Sequence, residues 1–299
     1  MQRIRKIKDN SAFWLMRILA FSGILFLAIV GILLFIKAYP AIKNNGLVNL
    51  LFSGQWKPSG GEFGFLPFII STLYVSAIAI LIALPLSLLT AIYLNSYASA
   101  GIRRLFEPVV DLLSGIPPVI YGVWGTLTIV PFIAGNIAPH FVGNHSGYSV
   151  LAGGIVLAIM IIPLLTGLLV EIFNSIPGEM TEASLALGAT KWQTVKRVML
   201  RRSLPGIVAV TGLSVTRAFG ETMAVLMVCG NSTIMPHSLL DACYPLPALI
   251  ANNYGEMLSV PGYESALMLA ALLLFMIVLV FNGISQVTLN RLSRRFHFQ

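Results

Sequence analysis

Arg217 and Glu221 stand four residues apart inside an otherwise apolar stretch that runs from Gly206 to Gly230. If that stretch is one helix, the two share a face, where an ion pair is expected. Arg217 follows the start of the stretch by about 11 residues, roughly 16 Å at 1.5 Å per residue, which is near the middle of a bilayer. A charge at that depth costs at least about 2.5–3.5 kcal/mol on insertion scales, so the position reads as a working site with Glu221 as its partner. The planar guanidinium offers forked donors to a small oxyanion. The carboxylate would keep that cation from becoming a trap. Thr211 and Ser214 extend the same polar face. The competing reading is a self-satisfied pair that merely orders a helix bundle, although desolvation offsets most of what such a pair contributes to stability.

The elements that must carry this pair are membrane helices. Hydrophobic residues make up 57% of the 299 and charged residues only 10%, and mean hydropathy is +0.87. That composition excludes a water-soluble domain. Six spans are expected: Phe13 to Ile36, Phe68 to Leu94, Pro108 to Ile133, Val150 to Val170, Gly206 to Gly230, and Ser265 to Val287. The fold class is therefore an all-α polytopic membrane protein. A net charge of +8 could suggest nucleic acid, but 15 of the 19 Lys and Arg gather in alternate loops and at the termini. This is the positive-inside pattern, so no nucleic-acid partner is expected, and both termini are placed in the cytoplasm. The basic start and long apolar run read as a retained signal anchor. Helix breakers cluster at Gly115, Pro117 and Pro118, marking the third span as a candidate broken helix beside a translocation path.

Between the fourth and fifth spans runs a charged island, Glu171 to Arg202. Good helix formers from Thr181 to Leu187, a turn at Gly188, and a further run from Thr190 to Arg202 predict two short helices around a glycine. Leu185, Leu187, Trp192, Val195 and Met199 supply apolar anchors, and Glu179, Glu182, Lys196 and Arg197 a charged rim. Such a composition suits a protein-binding knob, though a helix lying on anionic lipid would use similar residues.

The spacing of Glu182-Ala183-Ser184, Gly188 six residues after Glu182, and Val198-x-Leu200 resembles the EAA loop of ABC importer permeases. The departures are Ser184 for the second alanine, Val198 for isoleucine and Arg201 where proline is common. FGFLPFIISTLYVSAIAILIALPLSLLTAIYLN (63–95), SGIPPVIYGVWG (114–125), RAFGETMAVLMVCGN (217–231), LIANNYGEM (249–257) and YESALMLAALLLF (263–275) are similar to the phosphate-specific permeases of PstC type. Gly-Glu-Thr after the membrane arginine is shared with the sister PstA type, whereas the following Met-Ala-Val favours PstC. The resemblance implies a type I importer fold: a five-helix core with an N-terminal helix wrapping its side. It also implies a PstA-type sister permease, two ATP-binding subunits and an external phosphate-binding protein as partners. Glu182, Ala183, Gly188, Trp192 and Leu200 would couple to the ATPase, and hydrogen phosphate would bring a proton that Glu221 can accept. The chain has no GxxxxGK[ST] loop of its own, so ATP hydrolysis is assigned to a separate subunit.

On this reading residues 1–67 hold the N-terminus, first helix and external loop, residues 68–289 the permease domain with a coupling loop at 171–204, and residues 290–299 a basic tail. The expected location is a bacterial-type inner membrane. Permeases for sulfate, molybdate or tungstate, an ion-driven secondary carrier and a non-transporting scaffold are the alternatives. No nucleophile and base stand at catalytic spacing. No metal site or cofactor is expected, since His140 and His145 lack ligands near them and His237 and His297 are isolated. Glu107 and Asp111 are read equally as exit-lining charges or as acids favoured at a helix start. Cys229 and Cys243 follow no disulfide spacing and are expected as free thiols.

Overall fold

The computed structural model describes residues 2–141, 146–255 and 262–297, with side chains described within 12–292 of those ranges. Six helices are long and apolar enough to cross a membrane: Ala12–Asn45, Leu66–Ser96, Pro118–His140, Val150–Asn174, Lys191–Gly220 and Tyr263–Leu292. Helix α1 (Gln2–Asn45) is followed by the short α2 (Leu47–Phe52) and a two-stranded hairpin, β1 (Trp56–Lys57) with β2 (Glu62–Phe63). Trp56 and Phe63 are partners in its antiparallel register. Then come α3 (Leu66–Ser96), α4 (Ala100–Ser114) and α5 (Pro118–Trp124), the last continued by π turns and α6 (Val130–Phe132) to His140. After α7 (Val150–Asn174), the short α8 (Gly178–Ala186) precedes α9 (Lys191–Thr194). A π turn joins α9 to α10 (Leu200–Gly220), and α11 (Met223–Val228), α12 (Leu246–Asn253) and α13 (Tyr263–His297) complete the chain.

Helix α7 is the centre of the bundle, packed along α3 and contacted by α4, α10 and α11. Close approach there depends on lost side chains. A Cβ on Gly154 would sit 2.7 Å from the Ile78 Cβ of α3. Ser87 of α3 adds a hydrogen bond to the Ile162 carbonyl of α7 at 3.2 Å. Helix α1 lies against α13, and its outward side chains, such as Phe21, Ile24 and Phe26, are exposed as lipid requires. At its far end a second core forms. Trp56 meets Phe63, Phe65, Phe68 and Tyr263 with ring centroids 4.8–6.0 Å away, edge to face. The Gly- and Ser-rich segment between α1 and α3 is thus clamped onto the starts of α3 and α13.

Three expectations change. The third span begins at Pro118, about ten residues later than the hydropathy pattern suggests. Residues 100–114 form a separate amphipathic helix carrying Arg103, Arg104, Glu107 and Asp111. Pro117 and Pro118 lack backbone donors, and a proline disfavours helix at the residue before it, so the chain breaks between α4 and α5 at the end of the span rather than within it. Secondly, the run beginning at Thr190 is no short helix. It continues from α9 to Gly220, accommodating Pro205 inside α10. Thirdly, the last helix does not end near Val287, because α13 continues to His297.

Gly154→Val should lower stability by about 1–3 kcal/mol, the usual penalty of overpacking, read as a lower midpoint of thermal unfolding in detergent. Gly23→Val, at a helical glycine with no atom within 4 Å of its would-be Cβ, should leave the midpoint nearly unchanged.

Candidate translocation site and coupling surface

Helix α10 ends at Gly220, and Glu221 turns to extended backbone with φ −72° and ψ 125°. The expected helical neighbourhood of Arg217 and Glu221 is therefore broken between them. Among the described residues the ion pair within 4.0 Å joins Lys37 to Glu264, and none joins Arg217 to Glu221. Instead a Glu221 carboxylate oxygen accepts from the Ala224 amide at 3.3 Å, closing the first turn of α11. A donor left bare by the break is thereby satisfied. The interruption falls before the level at which α7 begins, since Val228, at the end of α11, accepts from the Ser149 amide that precedes α7. Discontinuous helices of this kind occur in transporters where backbone lines a protected cavity.

Arg217 is half-buried and lies within electrostatic reach of the Tyr121 hydroxyl. That hydroxyl donates to the Leu113 carbonyl at 2.9 Å, spanning Gly115, Pro117 and Pro118. The Gly-Ile-Pro-Pro break is thus bridged by a side chain that feels the charge of Arg217, a relation that their separation in sequence hides. Ser214 is fully buried and donates to the Val210 carbonyl at 3.0 Å. Thr211 donates to the Ile207 carbonyl at 2.8 Å. Both hydroxyls donate to their own helix, so each offers only its lone pairs to a further partner unless it rotates. Sequence reasoning passed over Tyr121 and Thr216. The latter hydroxyl lies 2.8 Å from the Asn282 amide oxygen of α13. An Asn in an apolar span was the available signal for that contact.

At the other end of this helical run, Gly188 adopts φ +84°, with open space in the direction a Cβ would take. Thr190 and Gln193 form a capping box that starts α9. Ser184, which departs from alanine, lies 2.9 Å from the Thr194 hydroxyl and ties α8 to α9. Glu182, Ala183 and Trp192 are all exposed on this surface. Leu187 is 89% exposed and Trp192 52% exposed, an apolar surface on a polar loop that marks an interaction site. Leu200 is half-buried against the main core, and Val195 and Met199 are buried in it. Burial of Val195 and Met199 holds the knob to the body, so these two of the five apolar anchors expected from composition are not on the exposed surface.

Cys229 and Cys243 are both free and fully buried, with the Cys243 amide donating to the Cys229 carbonyl at 2.8 Å. No group of three or more potential metal ligands occurs among the described residues. His145, Glu256 and Met257 lie outside the residues whose side chains are described.

Residues 83–296 match the family described as binding-protein-dependent transport system inner membrane component. A phosphate transport system permease protein PstC from Xylella fastidiosa is 36% identical over 262 residues, covering 83% of this chain and 80% of the relative. Another from Mesorhizobium japonicum is 34% identical over 291 residues, covering 92% and 88%. Among solved structures, a bacterial alginate ABC transporter in complex with an alginate-bound periplasmic protein aligns with a TM-score of 0.64 at 18% identity, covering 97% of each chain. The MetNI methionine ABC transporter, in inward-facing conformations, gives 0.58 at 19% identity over 75% of this chain and 94% of that one. These structures share the type I importer fold, with five core helices and α1 at their side. The extent of the family match and the identity to full-length relatives place this chain in the binding-protein-dependent transport system inner membrane component family, as a multi-pass transport subunit and not an enzyme.

Proposed function

We propose that this chain is the permease subunit of an ATP-driven importer whose solute is inorganic phosphate, delivered by an external binding protein. The observation that carries the reading is Arg217, half-buried at membrane depth beside a broken helix, with no carboxylate bound to it among the described residues. An unpaired guanidinium there leaves its forked donors available to an oxyanion. Glu221, engaged with a backbone amide, follows four residues on as a negative limit on how tightly an anion is held. Conduction needs that kind of weak, reversible contact. The PstC names of the relatives supply the choice of phosphate over sulfate, molybdate or tungstate.

In this assembly a PstA-type sister permease completes the pathway, and two ATP-binding subunits dock on the two permeases, one of them on the knob formed here by Glu182, Ala183, Gly188 and Trp192. The distribution of loop charges supports a cytoplasmic position for both termini and residues 171–204. Residues 68–289 act as the permease domain. ATP-driven approach of the two ATPases moves each knob, and α9–α10 carries the displacement to Arg217 and the break at Glu221.

In proteoliposomes with the sister, ATPase and binding protein present, Trp192→Ala together with Leu187→Asp should reduce phosphate-stimulated ATP hydrolysis roughly tenfold or more, because both exposed side chains act as docking anchors. Undiminished stimulation would remove the coupling role. Arg217→Ala should abolish most phosphate uptake while ATP hydrolysis persists, and equal uptake of sulfate or molybdate through the wild-type complex would overturn the solute assignment. A double-mutant cycle of Arg217→Ala and Glu221→Gln on thermal stability should give a coupling energy below about 0.5 kcal/mol, as expected for residues that are not paired. A coupling well above that would restore the ion pair.

A further inference from the structure

At the end of the bundle that carries α8, a cleft of about 260 Å³ opens between α3, α4 and α7. Glu107 and Asp111, one turn apart on α4, and Glu171 near the end of α7 bring three carboxylates to it. Its one cation, Arg103, is turned to the end of α3. There its Nε and Nη2 donate to the Leu94 carbonyl at 3.2 and 2.9 Å, and Nη2 also donates to the Asn95 carbonyl at 2.7 Å. No ion pair within 4.0 Å neutralises the three carboxylates among the described residues. Deeper in the cleft, the Thr166 hydroxyl is buried, the residue being 1% exposed, and has no hydrogen-bond partner. A threonine in a helix ordinarily bonds the carbonyl four residues back, but here that carbonyl, of Ile162, accepts from Ser87. A buried hydroxyl without a partner is costly and calls for a ligand or an ordered water. Phe106 and Val110 supply an apolar wall.

We infer that this cleft binds a primary alkylammonium ligand, whose ammonium donates to Thr166 Oγ1 and whose charge is balanced by Glu107, Asp111 and Glu171. The carboxylates do not converge as a metal cage among the described residues, and an apolar wall beside separated negative charges fits a carbon chain bearing an ammonium better than a bare ion. The same chemistry reaches the cleft from two sources: a free diamine, whose second ammonium takes the acidic rim, or the ethanolamine head of a phospholipid. The ligand would bridge α4 to the end of α7, directly before the α8 knob, so it would bear on the coupling surface rather than on the path past Arg217.

The full chain, purified with the subunits that accompany it into phosphatidylcholine nanodiscs, is titrated with 1,4-diaminobutane by calorimetry. In parallel, native mass spectrometry reads retained phosphatidylethanolamine from mixed-lipid nanodiscs. Saturable diamine binding in the first arm, or selective lipid retention in the second, identifies the source. In the arm that responds, Thr166→Val, which keeps the shape and loses the hydroxyl, and Glu107→Gln should each weaken binding about tenfold or more. Unfolding midpoints of both variants are compared with wild type to separate lost binding from lost fold. Absence of saturable binding in both arms, equal binding by folded variants, or displacement of the ligand by an equal concentration of MgCl₂ would overturn the inference.

Discussion

Continuity of one helix is the constraint on which the rest depends. From the Thr190 cap the backbone stays helical through the π turn at 195–199 and past Pro205 to Gly220. This run of 30 residues is roughly 45 Å long at 1.5 Å per residue. One end is fixed to the exposed knob by the Ser184–Thr194 contact and by burial of Val195 and Met199. The other ends where Arg217 and Glu221 part company. A helix of this length transmits displacement because its hydrogen bonds lie along its axis. Short helices joined by flexible turns would dissipate it.

The break at Glu221 has its own logic. A short helix, α11, carries the chain to the level of the α7 start, where the Val228 and Cys229 carbonyls accept from the Ser149 and Cys243 amides. Glu221 caps that short helix, and in doing so it is withdrawn from Arg217. One carboxylate cannot serve both groups at full strength. The geometry favours the backbone donor, and among the described residues no carboxylate lies within 4.0 Å of the guanidinium. At the centre of the bundle α7 plays the complementary role. Its small residues let α3 close upon it, and α10 packs against the same helix.

Much of this was legible in the residues. Composition and span length pointed to the membrane class, and the spacing around Gly188 to the loop, because both signals are local. Positive φ at Gly188 and the cap at Thr190 need only neighbouring residues to be inferred. What escaped was decided elsewhere in space. A hydropathy window cannot separate α4 from the span that follows, since Val109, Val110, Leu112 and Leu113 are apolar whether they lie along a surface or across a bilayer. It likewise cannot show that Glu221 leaves the helix, because that depends on the Ala224 amide needing an acceptor. Nor can it assign Val195 and Met199 to the core and Leu187 and Trp192 to the outside. That division arises when the knob folds back on the bundle.

The most direct test of the lever is a pulsed electron resonance distance between spin labels at Lys191→Cys and Leu213→Cys, two exposed positions on the same helix. Cys229 and Cys243 are fully buried and thus poorly placed to compete for label. For a continuous helix the backbone separation over about 22 residues is roughly 33 Å, and it should hold within about 2 Å between nucleotide-free and ATP-trapped complexes. A change of about 5 Å or more between those states would mean that the π turn or Pro205 absorbs the motion, and that the knob does not drive the site around Arg217.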